Sequence, residues 1–212
     1  MIAVVDYGMG NLRSVERALH SLRAPVKVTR DPADLQAAER IVLPGVGAFG
    51  VAMERLHEHG LVEVLGEQVL ERRVPFLGIC LGLQLICRES DEHGSFEGLG
   101  WVPAAVRRID PGDASLRVPH TGWNDVTARG PSALLPPDSP HGVFYFVHSF
   151  HAVPDPGSED IVTATVPYGT ELTACIEQEN ILATQFHPEK SQQDGLALLR
   201  RFIAWQPAAL AT

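Results

Sequence analysis

The sequence predicts an α/β fold: a doubly wound, largely parallel central sheet with an added mixed or antiparallel portion. Three observations lead there. Short apolar runs alternate with helical patterns up to Ile79, the texture turns strand-rich after Gly98, and one strand-like run ends between two glycines at Gly78-Ile79-Cys80-Leu81-Gly82, where a helical pattern takes over. Parallel strands need long crossovers, usually helices, and those helices cover both faces of the sheet.

Each element follows in order. Ile2 to Val5 is a continuous apolar run of strand length, suited to burial on both faces, and Leu12 to Leu22 spaces its apolar residues at helical intervals. Val26 to Val28 and Arg40 to Leu43 supply the next strands, with helical patterns at Gly50 to His57 and Leu61 to Arg72. Val74 to Ile79 is the fourth strand, and Leu81 to Ile86 continues as a helix. Beyond Gly98, strand-like segments lie around Ala105 to Ile109, Val143 to Val147, Ile161 to Thr165, Leu172 to Glu177 and Ile181 to Gln185, before a closing helix from Gln192 to Ile203. Pro131 to Pro140, with four prolines, and Pro154 to Asp160 read as surface loops, since neither flank would hold a full core alone. A single domain over residues 1–212 is expected.

Composition narrows the function. A net charge of −9 argues against general affinity for nucleic acid or an anionic membrane, both of which reward excess Lys and Arg. No apolar run is long enough to cross a bilayer, and Met1 leads straight into a strand pattern without a basic leader, so a cytoplasmic location is expected. The three cysteines form no C-x-x-C or Cys/His ligand spacing; no disulfide framework, metal or cofactor is expected. Lys27 and Lys190 are the only lysines among 17 basic residues.

In such a sheet, functional loops gather at the carboxyl ends of the parallel strands. Gly8 and Gly10 after the first strand lack the third glycine of a dinucleotide fingerprint, and no Gly-Lys-Ser/Thr follows any glycine-rich loop. Cys80 is different. Gly78 and Gly82 flank it at the spacing of a nucleophile elbow, and the N-terminus of the following helix would favour a thiolate. The alternative is a buried, inert cysteine in a glycine-lined turn. A thiolate needs a base and the base an orienting acceptor. His57, His59 and His93 sit in charged surroundings and read as solvent-facing, whereas His187 ends the apolar run Ile181 to Phe186, is held extended by Pro188, and has Glu189 two residues on. A surface His-Pro turn is the alternative. Cys87 and Cys175 read as packing residues.

Cys80 in GICLGLQ, with His187 and Glu189 in QFHPEKS, resembles the class I (triad) glutamine amidotransferases, a flavodoxin-like family whose Cys-His-Glu triad releases ammonia from glutamine. The segments Asp6 to Ser14, Leu43 to Gly50, Pro119 to Asn124 and Tyr145 to Phe150 are similar to the branch that serves histidine biosynthesis beside a (β/α)8-barrel cyclase subunit. The resemblance runs from Asp6 to Ser191.

It implies that Cys80 attacks the amide of L-glutamine, that His187 moves protons and that Glu189 holds the imidazole. Oxyanion donors would be the amides of Leu81 and Val46, the latter switching by a peptide flip that Gly45 and Gly47 make sterically easy. Gln84, Glu92, Tyr145, His148 and Ser149 are implied to bind glutamine; for Glu92 a solvated acidic turn is the alternative. Asn11, Trp123, Asn124, Tyr145 and Lys190 are implied to face the cyclase, with a core position open for Trp123 and a chance survival open for Lys190. Ala104, Thr121 and Cys87 depart from the residues usual in the family without touching the triad. Other readings are an amidotransferase of another pathway, a stand-alone cysteine peptidase or hydrolase, and a non-enzymatic scaffold.

Overall fold

The computed structural model describes residues 1–139 and 141–207; Pro140, the last residue of the proline-rich loop, and residues 208–212, included in the single domain expected over 1–212, lie outside the described residues. The strands are β1 (Ile2–Val5), β2 (Val26–Thr29), β3 (Arg40–Gly45), β4 (Phe76–Cys80), β5 (Glu89–Ser90), β6 (Phe96–Glu97), β7 (Ala104–Arg108), β8 (His120–Ala128), β9 (His141–His148), β10 (Phe150–Pro154), β11 (Val162–Tyr168), β12 (Thr170–Gln178) and β13 (Ile181–Thr184). The α-helices are α1 (Leu12–Ser21), α2 (Pro32–Gln36), α3 (Phe49–Glu58), α4 (Leu61–Gly66), α5 (Leu81–Leu85) and α6 (Gln192–Ala204).

Nine strands form the main sheet in the order β2-β1-β3-β4-β13-β12-β11-β8-β9. The first five are parallel and the rest join antiparallel. A second sheet runs β10-β7-β5-β6. Alternate side chains of the parallel strands enter two cores, as strands buried on both faces require. Ala3, Val5, Ile41, Leu43 and Phe76 pack with Leu56 of α3 and Leu61 and Leu65 of α4. Ile2, Val4, Val42, Leu77 and Ile79 pack on the other face with Val15 and Leu19 of α1 and Leu198 and Phe202 of α6. This is the doubly wound arrangement expected, and the added portion is divided: β8, β9, β11 and β12 extend the main sheet, whereas β7 and β10 leave it for the smaller one.

Three local departures have physical causes. The helix expected from Leu61 to Arg72 is α only to Gly66 and continues as a π-helical turn over Glu67–Glu71. The side-chain amide of Asn180 donates to the Val69 and Val74 carbonyls, so the irregular end is satisfied. Helix α2 is a single short segment started by the Asp31 side chain, which accepts from the Ala33 N–H, with Pro32 following. β8 has no apolar alternation because much of it is solvent-facing.

The outer edge of β9 is not open. His187 N–H donates to the Tyr145 carbonyl at 2.9 Å, Tyr145 N–H to the Ser191 hydroxyl at 3.0 Å and Val143 N–H to the Asp194 carboxylate at 2.8 Å. The chain after β13 thus covers an edge that would otherwise invite pairing with another strand.

Candidate active site

Cys80 occupies the joint between β4 and α5 with φ +55° and ψ −106°. A non-glycine residue there is strained, and the strain persists only where the surroundings enforce it. They do. A Cβ on Gly82 would lie 1.8 Å from the Leu43 carbonyl oxygen, and one on Gly78 would lie 2.8 Å from the Gly82 carbonyl oxygen. Without side chains at these two positions, α5 packs against the backbone of β3 and β4 and the turn can close only with Cys80 in its strained conformation. Cys87 and Cys175 are fully buried; burial pushes the Cys87 thiol up to about 12 and the Cys175 thiol well above its ordinary value, so both stay protonated.

β13 lies next to β4, with Thr184 opposite Ile79, so His187 emerges at the same end of the sheet as Cys80. A single 3-10 turn, Pro188–Lys190, folds Glu189 back under it. His187 Nδ1 is 2.8 Å from Glu189 Oε1, with the two side chains 2% and 1% exposed. Burial opposes charge on this imidazole, yet the nearby Cys80 sulfur and the hydrogen-bonded Glu189 carboxylate raise its pKa to about 9. Nδ1 is committed to the carboxylate, and Nε2 is buried without a hydrogen-bond partner among the described residues.

A cavity of about 300 Å³ opens beside the sulfur, lined by Val46, Gly47, Cys80, Leu81, Gln84, Glu92, Pro119, Val147, His148, Ser149 and Phe150. That volume lies at the small end of the range for ligand pockets. Val46 stands at the end of β3, where Gly45 is opposite Cys80 in register. Gly47 has φ +109°, the left-handed side where glycine is favoured. Gly45 is held differently: a Cβ there would lie 2.1 Å from the buried Tyr7 hydroxyl. An alanine at Gly45 would therefore disturb packing as well as any peptide flip.

Among the polar lining groups, the Glu92 carboxylate accepts from the Phe49 N–H at 2.6 Å, starting α3 where Ala48 offers no side-chain cap. The acidic turn is thus tied to the loop that carries Val46. His148 is pushed down to about 3, first by burial, and His120 to about 4 by burial, so both are neutral imidazoles. His120 Nδ1 is 3.0 Å from His148 Nε2, and His148 Nδ1 is 2.9 Å from the Phe150 carbonyl. Gln84 is buried, and its amide donates to that same carbonyl at 2.9 Å.

Sequence reasoning placed Tyr145 in the pocket and on an outer face. Its ring lies outside the cavity lining, 5.9 Å from the Trp123 ring and 5.6 Å beneath the Lys190 ammonium. Trp123 is 48% exposed, which settles its position as surface rather than core. Thr121, Trp123 and Asp125 stand opposite Val147, Tyr145 and Val143, so all six share one face of the β8–β9 ribbon. Asn11 is exposed, whereas the Asn124 amide turns inward to the Pro167 carbonyl at 2.9 Å and to His120 at 3.3 Å. Pro119, Val147, Phe150 and Gln185 at the site were given no role from sequence. Pro119 lines the cavity, and Gln185, fully buried in the QFHPEKS segment, puts its side-chain nitrogen 3.7 Å from the Cys80 sulfur. A polar residue ending an apolar strand was the available signal for Gln185.

Comparison with known proteins adds three findings. The family model described as "Glutamine amidotransferase class-I" matches residues 3–205. The imidazole glycerol phosphate synthase subunit HisH of Moorella thermoacetica is 49% identical over 95% of this chain and 93% of its own length; that of Methanothermobacter thermautotrophicus is 50% identical over 96% and 98%. A solved glutamine amidotransferase superposes with a TM-score of 0.72 at 23% identity, covering 96% of this chain and 97% of the other, a likeness of fold.

Proposed function

The chain belongs to the class-I glutamine amidotransferases, and on that premise we propose that it is the glutaminase subunit of imidazole glycerol phosphate synthase, acting in histidine biosynthesis beside a (β/α)8-barrel cyclase subunit. The observation that carries the chemistry is a strained Cys80 at one strand end with the buried His187–Glu189 pair at the next. The pathway and partner rest on the names of relatives identical at about half of their positions.

In this reading the Cys80 thiolate attacks the side-chain carbonyl carbon of L-glutamine. The tetrahedral oxyanion is held by the Leu81 amide, next to the nucleophile, and by the Val46 amide once its peptide turns inward. His187 Nε2, the buried nitrogen without a hydrogen-bond partner among the described residues, gives its proton to the departing ammonia as the intermediate collapses to a γ-glutamyl thioester. The imidazole then takes a proton from water, whose oxygen attacks the thioester, and glutamate leaves with the thiolate restored. Glu189 orients the ring throughout.

Gln84, Glu92, His148 and Ser149 line the cavity that would take the amino-acid end of glutamine. We place Tyr145 with Trp123, Lys190 and Asn11 on the docking face, together with the outer rim of Asn124. Val143 and Val147 are 41% and 38% exposed on that face, and Val147 also lines the cavity, so docking surface and pocket rim are continuous. Ammonia would pass from this rim into the cyclase. No helix among the described residues is long and apolar enough to cross a membrane; we place the enzyme in the cytoplasm.

The test is reconstitution. Mixed with the cyclase subunit and its ribonucleotide substrate, the protein should support synthesis from glutamine, and Cys80→Ala should retain synthesis from ammonia alone. Glutamine-dependent turnover by Cys80→Ala would sink the mechanism. Failure of the unaltered chain to supply any cyclase would sink the assignment.

A further inference from the structure

Gln185 lies just beyond β13, two residues before His187, and its side-chain amide touches the reacting sulfur. We propose that Gln185 is a catalytic residue of this site: its Nε2–H donates to the Cys80 sulfur and favours the thiolate over the thiol. The proposal rests on the reading of Cys80 as the nucleophile.

The orientation of that amide follows from a fixed point, the backbone carbonyl of Phe150, which can only accept. Gln84 Nε2 lies 2.9 Å from this oxygen, so the Gln84 NH2 group must face it. The same NH2 group is 3.1 Å from Gln185 Oε1. A carbonyl oxygen therefore faces Gln84, and the NH2 of Gln185 is left toward Cys80 Sγ at 3.7 Å. Turning the Gln185 amide over would set NH2 against NH2 at one end and a carbonyl oxygen against a thiolate at the other. The anchor is doubly used, since His148 Nδ1 approaches the same carbonyl at 2.9 Å. The backbone is held as well, with Gln185 N–H donating to the Ala174 carbonyl at 2.9 Å.

The site needs such a donor. α5 has only five residues, so its dipole at Cys80 is small. The sulfur is also shielded, Cys80 being 6% exposed, so water contributes little to holding a negative charge. Gln84 and Gln185 are 5% and 0% exposed, and polar groups at that depth are ordered by their partners. A hydrogen bond to an anion is stronger than one to a neutral thiol, so the donor stabilises the ionised form selectively.

The experiment follows the rate at which iodoacetamide alkylates Cys80 in the full chain as a function of pH, with the labelled cysteine identified by mass spectrometry. This readout requires no glutamine turnover. Gln185→Met keeps side-chain bulk and removes the donor; the half-maximal pH should rise by about one unit, with labelling about tenfold slower at neutral pH. Gln84→Met leaves Gln185 in place and frees its amide, and should shift the profile in the same direction by less; it carries the test if Gln185→Met does not fold. A merely structural Gln185 would change melting temperature and leave the pH midpoint where it was. Profiles superimposable on that of the unaltered protein overturn the proposal. If Cys80 in the unaltered chain resists labelling at every pH, the nucleophile itself is lost and both readings fall. A shifted profile in a chain that supports no glutamine-dependent synthesis when reconstituted with the cyclase and its ribonucleotide substrate upholds the donor and removes the proposed function.

Discussion

Replacing Glu189 by glutamine keeps an oxygen acceptor beside His187 Nδ1 and removes the charge. In the native protein burial disfavours the imidazolium, and the nearby Cys80 sulfur and the hydrogen-bonded Glu189 carboxylate overcome it, holding the proton to about pH 9 against an ordinary 6.5. That difference corresponds to roughly 3 kcal/mol. A full opposite charge at this distance is worth about 1–3 pH units, so Glu189→Gln should lower the His187 pKa by about that amount. The assay is an NMR titration of the His187 ring in the isolated chain, paired with melting temperatures across pH. Because the folded pKa is raised, the stabilisation it brings is fully present below 6.5 and is lost as pH climbs through about 9. The native protein should therefore melt well above the variant at slightly acidic pH, with the gap closing toward alkaline pH. A His187 that titrates at or below 6.5 in the native chain, or equally in both proteins, would refute the reasoning.

Two further outcomes follow from the geometry. Gly82→Ala would set a methyl 1.8 Å from the Leu43 carbonyl oxygen, so β3 or α5 must move; denaturant unfolding should show a loss of about 3 kcal/mol or more, and an unchanged midpoint would mean that the elbow has slack. Trp123→Ala removes a half-exposed ring, so unfolding should change by under about 0.5 kcal/mol, while calorimetric titration with the cyclase should show a loss of about 2 kcal/mol or more. Unchanged affinity would move the docking face away from the β8–β9 ribbon.

The parallel half of the fold was legible because its strands are buried on both faces. Ile2 to Val5, Arg40 to Leu43 and Val74 to Ile79 carry consecutive apolar residues, Ile41 to Leu43 following Arg40 in the second, and each coincides with a strand to within two residues at either end. β8 was silent because one of its faces is built from Thr121, Trp123 and Asp125, residues turned outward, and β5 and β6 are two residues long. The division of the later strands between two sheets depends on pairings far apart in sequence, such as Phe150 with Arg108, which no local pattern encodes. At the site, Cys80, His187 and Glu189 stood out as chemistry-bearing residues at strand ends. Gln185 did not, because its role comes from Gln84 and Phe150, residues remote in sequence that meet it only once the sheet is assembled.

β13 is the last strand among the described residues, yet it occupies a central slot between β4 and β12. On the ribosome this position sets a time order. Until residues 181–189 have been made, β4 has no neighbour on one side, the cysteine has no base beside it, and the edge of β9 lacks the cover that His187, Ser191 and Asp194 provide. Nascent chains and fragments ending before this strand should therefore consume no glutamine. On the proposed reading, the parallel pairing that completes the sheet also brings His187 and Glu189 beside Cys80, so a chain lacking this strand would lack the proposed triad.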